Sequence, residues 1–280
     1  MLGPAVYEHL LHAAGVPLFV DFDDAIWIPD LRGANGKFVY LRFAGKIASI
    51  CRLSSGVVVG NEYLAAYARQ HSAHVFVVPT SIDLQRYSLQ PPPPNEPFTI
   101  VWSGSHSTLQ HLECARAPIE AFGKRRYAVL RVIGNRAPDR PFANVDNVFI
   151  PWAAAGEAAE IGRAHVGIMP LPDTDYTRGK CALKALQYMA LGLPTIVSPV
   201  GANMEVVEHG RTGLHATTLD EWVDALEKLA SSRQLRTAIG RAGRETVEKR
   251  FSSVVASDKF AEAVRMGLRR ARSLPRQVSG

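Results

Sequence analysis

"HVGIMPLPDTDYTRGKCALKALQYMALGLPTIVS", residues 165–198, is the stretch whose reading decides the fold. Residues 165–171 and 194–198 are short, nearly continuous apolar runs of strand length. Between them, residues 180–192 have helical spacing and stop at Gly192, a residue suited to the left-handed turn that ends a helix. Strand, helix and strand in this order, with both strands apolar throughout, describe a parallel sheet covered on both faces.

The same alternation runs outward in both directions. Upstream, 98–104 ("FTIVWSG") reads as a strand and 107–122 as a helix capped by Ser107 or Thr108. Residues 127–134 and 147–151 read as strands and 153–164 as a small helix. Downstream, 219–230 and 232–250 are amphipathic helices, and a last helix covers about 253–272. The first ninety residues alternate as well. A helix ends at Gly15, 17–21 is a strand, 38–53 a helix and 56–60 a buried strand; Asn61 caps a helix to about Gln70, and 74–79 is a strand. "LQPPPPNEP", 89–97, interrupts the pattern, because four consecutive prolines fit neither a helix interior nor a central strand. The expected organisation is a short Rossmann-like unit over 1–88, a Pro-rich linker over 89–97 and a second Rossmann-like unit over 98–252. A C-terminal helix over 253–280 would pack back toward the first unit.

Composition narrows the class. At 280 residues, 47% hydrophobic and 21% charged, the chain has the makings of a globular protein rather than a disordered one. A net charge of +6 suits an anionic ligand or surface. The basic residues are not interleaved with stacking aromatics and no nucleic-acid motif occurs, so nucleic acid is not an expected partner. Cys51, Cys114 and Cys181 are far apart with no C-x-x-C pair, which argues for a reducing compartment and against a disulfide framework or a zinc site. No apolar run of about 18 residues exists and the start lacks the pattern of a signal peptide, so the expected location is cytoplasmic. Arg265, Arg269, Arg270, Arg272 and Arg276 read first as a solvated helix end, and second as a contact for the inner face of an anionic membrane.

Open α/β sheets bind ligands outside the carboxyl ends of their strands. The loop after 98–104 contains Gly104 and Ser105 in a small, hydroxyl-rich turn suited to phosphate; the same composition also serves any capped strand–helix turn. Gly134–Asn135–Arg136 is a second, weaker loop. In the third, Asp173 and Asp175 follow a strand, Arg178 opens a helical segment, and Lys180, Lys184 and Gln187 fall on one helix face. Two lysines there invite a diphosphate, although a solvated basic face has the same spacing. Gly201 lets the backbone after 194–198 approach a ligand. At the N-terminal end, "VDFDDAIW" closes a strand with Asp21, Asp23 and Asp24, a pattern open to metal, nucleophile or base roles.

The segment "RGKCALKALQYMALGLPTIVSPVGANMEVVEHGRTG", 178–213, resembles the donor site of the retaining glycosyltransferases of family 4, and "TIVWSGSHSTLQHL" and "VDFDDAIW" fit the same family. The resemblance implies a GT-B fold, with two Rossmann-like parallel-sheet units facing across a cleft, the N-terminal one incomplete. It implies sugar transfer from a nucleotide-diphosphate-sugar to an unidentified glycan, lipid or small-molecule acceptor, with no metal and no further cofactor. The family's two glutamates, separated by seven intervening residues, fall here on Gly179 and Gln187, so neither acid is present. Gln187 keeps a hydrogen-bonding role toward ribose, and Asp173 or Asp175 becomes the candidate for reading the sugar. The family's Arg and Lys after the first strand of the donor unit are absent too, which assigns the diphosphate to Lys180 and Lys184. Asp23 and Asp24 stand where many members carry His-Asp and become the candidate catalytic or acceptor-contacting pair. Family members have further strands before this chain's first residue, so the expectation is a shortened first sheet covered by a partner chain or a second copy.

Two other readings compete. A phosphatase of the haloacid-dehalogenase type uses D-x-D after its first strand, but Ala25–Ile26–Trp27 lacks the turn such enzymes need. A glycosyltransferase-like module that binds a nucleotide or a partner without turnover fits the absent glutamates.

Overall fold

The computed structural model describes residues 4–28, 45–89, 91, 93, 94 and 96–273. It forms two compact units, with elements numbered along the chain. One comprises the residues up to Thr80, Thr174–Cys181 and the residues from Val254 on; the other comprises Ser81–Asp173 and Ala182–Ser253.

In the first unit, β1 (Phe19–Phe22), β2 (Gly56–Val59) and β3 (Val75–Val77) form a parallel sheet in the order β1-β2-β3. Helices α1 (Val6–Ala13), α2 (Lys46–Leu53) and α3 (Glu62–Arg69) accompany it. The expected helix over 38–53 is observed from Lys46; residues 38–44 lie outside the described residues. Asn61 caps α3 as its sequence position predicts, its Oδ1 accepting from Leu64 N at 2.9 Å. Phe22, Ile47, Cys51, Val57, Val59 and Leu64 form the core. Beside them Trp27 stacks on Tyr67 with ring centroids 3.8 Å apart.

The second unit contains β4 (Phe98–Gly104), β5 (Ala128–Gly134), β6 (Asp146–Pro151), β7 (Val166–Met169), β8 (Thr195–Val197) and β9 (Leu214–His215). All pairings are parallel, in the order β6-β5-β4-β7-β8-β9. Counted within the unit this is the doubly wound order 3-2-1-4-5-6, and the direction of winding reverses between β4 and β7. Alternation along β4 supplies both faces: Phe98, Ile100 and Trp102 enter one core, with Phe122 and Trp222, whereas Val101 enters the other, with Tyr188, Met189 and Val247. The proline stretch is tied to this sheet. His165 Nδ1 accepts from Thr99 N at 2.9 Å, so Nε2 carries the proton and donates to Pro94 O at 2.7 Å.

Three elements differ from expectation. The helix read over 107–122 is a three-residue 3-10 turn (His106–Thr108), α4 (Leu109–Glu113) and α5 (Arg116–Arg125). Pro118 is the cause: without an N–H it fits only the first turn of a helix, so a new helix begins two residues before it. The helix read over 180–192 begins only at Leu183, as α8 (Leu183–Ala190), while Asp175–Arg178 forms a separate short α7. Ala182, with φ of 57°, breaks the path between them. The two-residue β9 is too short to have a sequence pattern. The small helix α6 (Glu157–Gly162), the turn of helix α9 (Ala202–Val206) and the helices α10 (Leu219–Ser231), α11 (Arg233–Arg250) and α12 (Ser253–Ser273) complete the chain. Among the described residues no helix is long and apolar enough to cross a membrane. Arg265 and Arg269 are exposed on α12; the Arg272 side chain and Arg276 lie outside the described residues.

α11 crosses the turn after α8 at backbone distance. A Cβ built on Gly240 would lie 1.9 Å from Gly192 O, and Gly192 itself needs its φ of 70°. Gly240→Ala is expected to lower stability by about 1–3 kcal/mol, the usual cost of overpacking. A lowered denaturant midpoint with an unchanged slope is the measurement that checks it.

Candidate functional site

Where the second sheet reverses its winding, the carboxyl ends of β4, β5 and β6 border a cavity of about 660 Å³. Gly104 ends β4 there. Its missing side chain leaves room for the Trp102 ring and the Thr108 hydroxyl, which a Cβ would meet at 2.4 and 2.7 Å. The turn that follows is held internally: Ser105 Oγ lies 2.9 Å from Ser107 Oγ, and His106 N donates to Asn135 Oδ1 at 2.6 Å. Only a 3-10 turn and a five-residue helix follow it. The long helix dipole expected for a phosphate seat is therefore absent here, and anion charge must be met by side chains.

The floor of the cavity is organised around Glu157, whose carboxylate is buried at 7% exposure. Oε1 accepts from Ser103 Oγ at 3.1 Å and from Trp152 Nε1 at 2.9 Å. Oε2 accepts from Tyr87 Oη at 2.6 Å, Arg86 at 3.3 Å and Gln187 Nε2 at 3.4 Å. Gln187 Nε2 also donates to Tyr87 Oη at 2.6 Å, so a directed chain runs from Gln187 through Tyr87 to Glu157. Burial, reinforced by the hydrogen bond to Glu157, pushes the Tyr87 phenol up to about 12. Beneath them Ser103 N donates to Tyr188 Oη at 3.0 Å. Two cations line the same cavity: Arg86, and Lys184, whose ammonium sits 5.5 Å over the Trp102 ring.

Of the residues singled out in the sequence, Gly104, Ser105, Lys184 and Gln187 line this cavity, and Asp173 and Gly201 do not. Gly201, with φ of 54°, precedes α9. The other candidates belong to the first unit. Asp175 pairs with Arg178 at 3.2 Å, both exposed on α7. Lys180, far from sharing a helix face with Lys184, donates to Asp24 Oδ1 at 2.8 Å and stands 4.7 Å from the Tyr176 ring centroid. Burial pulls its ammonium down, but Asp24 and Tyr176 outweigh that and leave it raised. Asp23 is exposed, and its carbonyl accepts from Cys181 Sγ at 3.1 Å. Among the described residues no cluster of three His, Cys, Asp or Glu side chains is placed to hold a metal ion.

Sequence reasoning missed Glu157, Tyr87, Arg86 and Trp152. Glu157 and Trp152 lie in "IPWAAAGEAAEIGRA" and Arg86 and Tyr87 in "SIDLQRY", stretches that fit the same family resemblance but in which no spacing singles out an individual side chain. The arrangement also accounts for the amide at position 187. A carboxylate there would stand against Glu157 Oε2 in place of a donor at 3.4 Å. Gln187→Glu is expected to cost about 1–3 kcal/mol at neutral pH. The introduced acid has its pKa raised in the folded state, so the folded variant holds a proton that the unfolded chain loses above about pH 4.3. The deficit relative to the parent should therefore shrink on acidification and grow as pH rises from that value. Urea titrations at a series of pH values test this, and a pH-independent deficit would exclude the like-charge account.

Comparison with known proteins adds the following. Residues 98–232, from β4 to the junction of α10 and α11, match the family model described as glycosyl transferases group 1. No curated protein sequence matches the chain significantly. Among solved structures, sucrose-phosphate synthase (tll1590) from Thermosynechococcus elongatus is similar, with a TM-score of 0.69 and 16% identity over 91% of this chain and 69% of that one. Anabaena Alr3699/HepE in complex with UDP and glucose gives a TM-score of 0.69 and 15% identity over 93% of this chain and 74% of that one. A glycosyltransferase from Rickettsia africae ESF-5 gives 0.67 and 14% over 94% and 80%. At such identities what is shared is the fold, and the chain has the parallel-sheet α/β fold of the GT-B glycosyltransferases.

Proposed function

We propose that this chain is a retaining glycosyltransferase that binds a nucleotide-diphosphate-sugar in the cavity of the second unit and passes the sugar to a hydroxyl acceptor. The observation that carries the reading is a ligand-sized cavity at the winding reversal of a 3-2-1-4-5-6 sheet, lined by two cations and a hydrogen-bonded polar floor. The family-model match over 98–232 supports the reaction class. The Anabaena protein, whose structure holds UDP and glucose, supports a uridine nucleotide as first probe.

In this reading the bond between the anomeric carbon and the diphosphate breaks with its electron pair leaving on the diphosphate oxygen. Lys184 and Arg86 meet the charge that develops there. The acceptor oxygen bonds to the same face of the anomeric carbon, and its proton passes to the released diphosphate. With two cations in that role the reaction is expected to need no metal, and activity should survive a chelator. Asp23 and Asp24 are proposed as acceptor-side residues of the first unit. Asp24 is already committed to Lys180, which leaves Asp23 as the exposed carboxylate.

Isothermal titration with UDP and GDP, run beside hydrolysis and transfer assays with UDP-glucose and GDP-mannose, tests the proposal. Lys184→Ala should weaken nucleotide diphosphate binding by about tenfold or more, the worth of one charged hydrogen bond. Absence of binding by the parent protein would overturn the reading, and binding with no hydrolysis or transfer would leave a nucleotide-binding module in its place. Asp23→Asn is expected to lower transfer by about tenfold with UDP affinity unchanged. A fall in UDP affinity in that variant would refute the acceptor-side assignment.

A further inference from the structure

The second unit has another cavity, at the opposite end of its sheet. About 390 Å³ in volume, it lies at the amino ends of β7 and β8, between the turns of residues 162–165 and 191–194 and one side of α11. Leu89, Leu191, Leu193 and Pro194 give it an apolar wall. Arg233, Arg236, Thr237, Arg241 and Arg244 line it from α11, at steps of three and four residues that keep them on one side of the helix. The close approach of Gly240 to Gly192 O seats that side against the turn after α8.

The arginines divide into two pairs. Arg241 Nε donates to Glu245 Oε1 at 3.1 Å and Arg244 Nε to Glu248 Oε1 at 2.6 Å; among the described residues these are the two acids that line the cavity. Arg236 donates to the carbonyls of Leu229 and Ala230 at 2.6 and 3.3 Å, which fixes its guanidinium without neutralising it. Arg233, beside it, is exposed. Burial, and after it the charge of Arg233, pull the Arg236 guanidinium below its ordinary value, while Glu96 pulls the other way. His165 adds no charge at neutral pH, because burial lowers its pKa and both ring nitrogens are engaged, by Thr99 N and Pro94 O. Two neighbouring guanidiniums are best matched by a dianion. A phosphate monoester carries roughly −1.5 to −2 charges at pH 7, on oxygens that fit guanidinium forks, whereas a carboxylate brings one charge. We propose that this cavity is a second ligand site, for a phosphate monoester with an apolar body. The phosphate sits at Arg233 and Arg236, and the body lies on the leucine and proline wall.

The test is titration calorimetry of the full chain with phenyl phosphate, glucose 6-phosphate and inorganic phosphate, on the parent protein, Arg233→Ala and Lys184→Ala. Phenyl phosphate should bind the parent about tenfold or more tighter than inorganic phosphate, the worth of covering its ring with apolar wall. Arg233→Ala should weaken phenyl phosphate by about tenfold or more, the worth of one charged hydrogen bond. Because Arg233 is exposed, that variant is expected to keep the parent's thermal midpoint. Lys184→Ala alters only the cavity at the other end of the sheet and should leave phenyl phosphate binding unchanged. If phenyl phosphate shows no saturable binding below about 10 mM, there is no such site. If Arg233→Ala binds it within twofold of the parent, the proposal fails. If Lys184→Ala weakens it as much as Arg233→Ala does, the phosphate is held in the other cavity and the second site falls. If inorganic phosphate or glucose 6-phosphate binds as tightly as phenyl phosphate, the apolar wall takes no part and the ligand class is wrong.

Discussion

The second unit's cavity depends on one buried carboxylate. A carboxylate with the exposure of Glu157 is unfavourable unless its lone pairs are filled, and here five donors fill them. They come from separate places: Ser103 from β4, Trp152 from the end of β6, Arg86 and Tyr87 from before the proline stretch, and Gln187 from α8. Ser103 Oγ, Trp152 Nε1 and Tyr87 Oη all donate to Glu157, and Gln187 reaches it both directly and through Tyr87, so the floor of the cavity is a single network rather than a collection of pairs. A cavity that must accept a polar ligand without collapsing gains from such a network, because the walls are satisfied before the ligand arrives.

The same constraint decides which residue types the neighbours can be. Position 187 needs a donor toward Oε2, and an amide provides one while keeping an oxygen to accept with. Tyr87 accepts from Gln187 and donates to Glu157, a relay that an ionised phenol could not maintain, and its raised pKa keeps the proton in place. The absence of glutamate at 187, which the sequence pattern presents as a loss, is therefore the counterpart of an acid delivered from α6.

The strands were legible because their cause is local. Apolar runs between turn residues predict β4 through β8 within a few residues, and the doubly wound architecture follows from their alternation with helices. What was not legible has non-local causes. Glu157 is significant only through burial, which "AAAGEAAE" does not encode. The start of α8 was misplaced because 180–192 is helical in spacing, yet in the fold Asn61 Nδ2 donates to the carbonyls of Gly179 and Lys180 at 3.2 Å each. Those are two of the acceptors a helix starting there would need. A competing donor 118 residues away in sequence overrides the local pattern.

That override also separates the two lysines that the sequence pairs. After β7 the chain contributes Thr174–Cys181 to the first unit and resumes the second at Ala182, where the left-handed residue turns it into α8. Lys180 falls within the excursion, in a partly buried pair with Asp24, with 20% and 35% of the two side chains exposed. Burial works against this pair, and its attraction places the lysine's ammonium against the protein's own carboxylate. Lys184, the second residue of α8, stays with the cavity. Residues four apart thus serve different units, because a backbone conformation at Ala182, rather than any side chain, decides where the helix face begins.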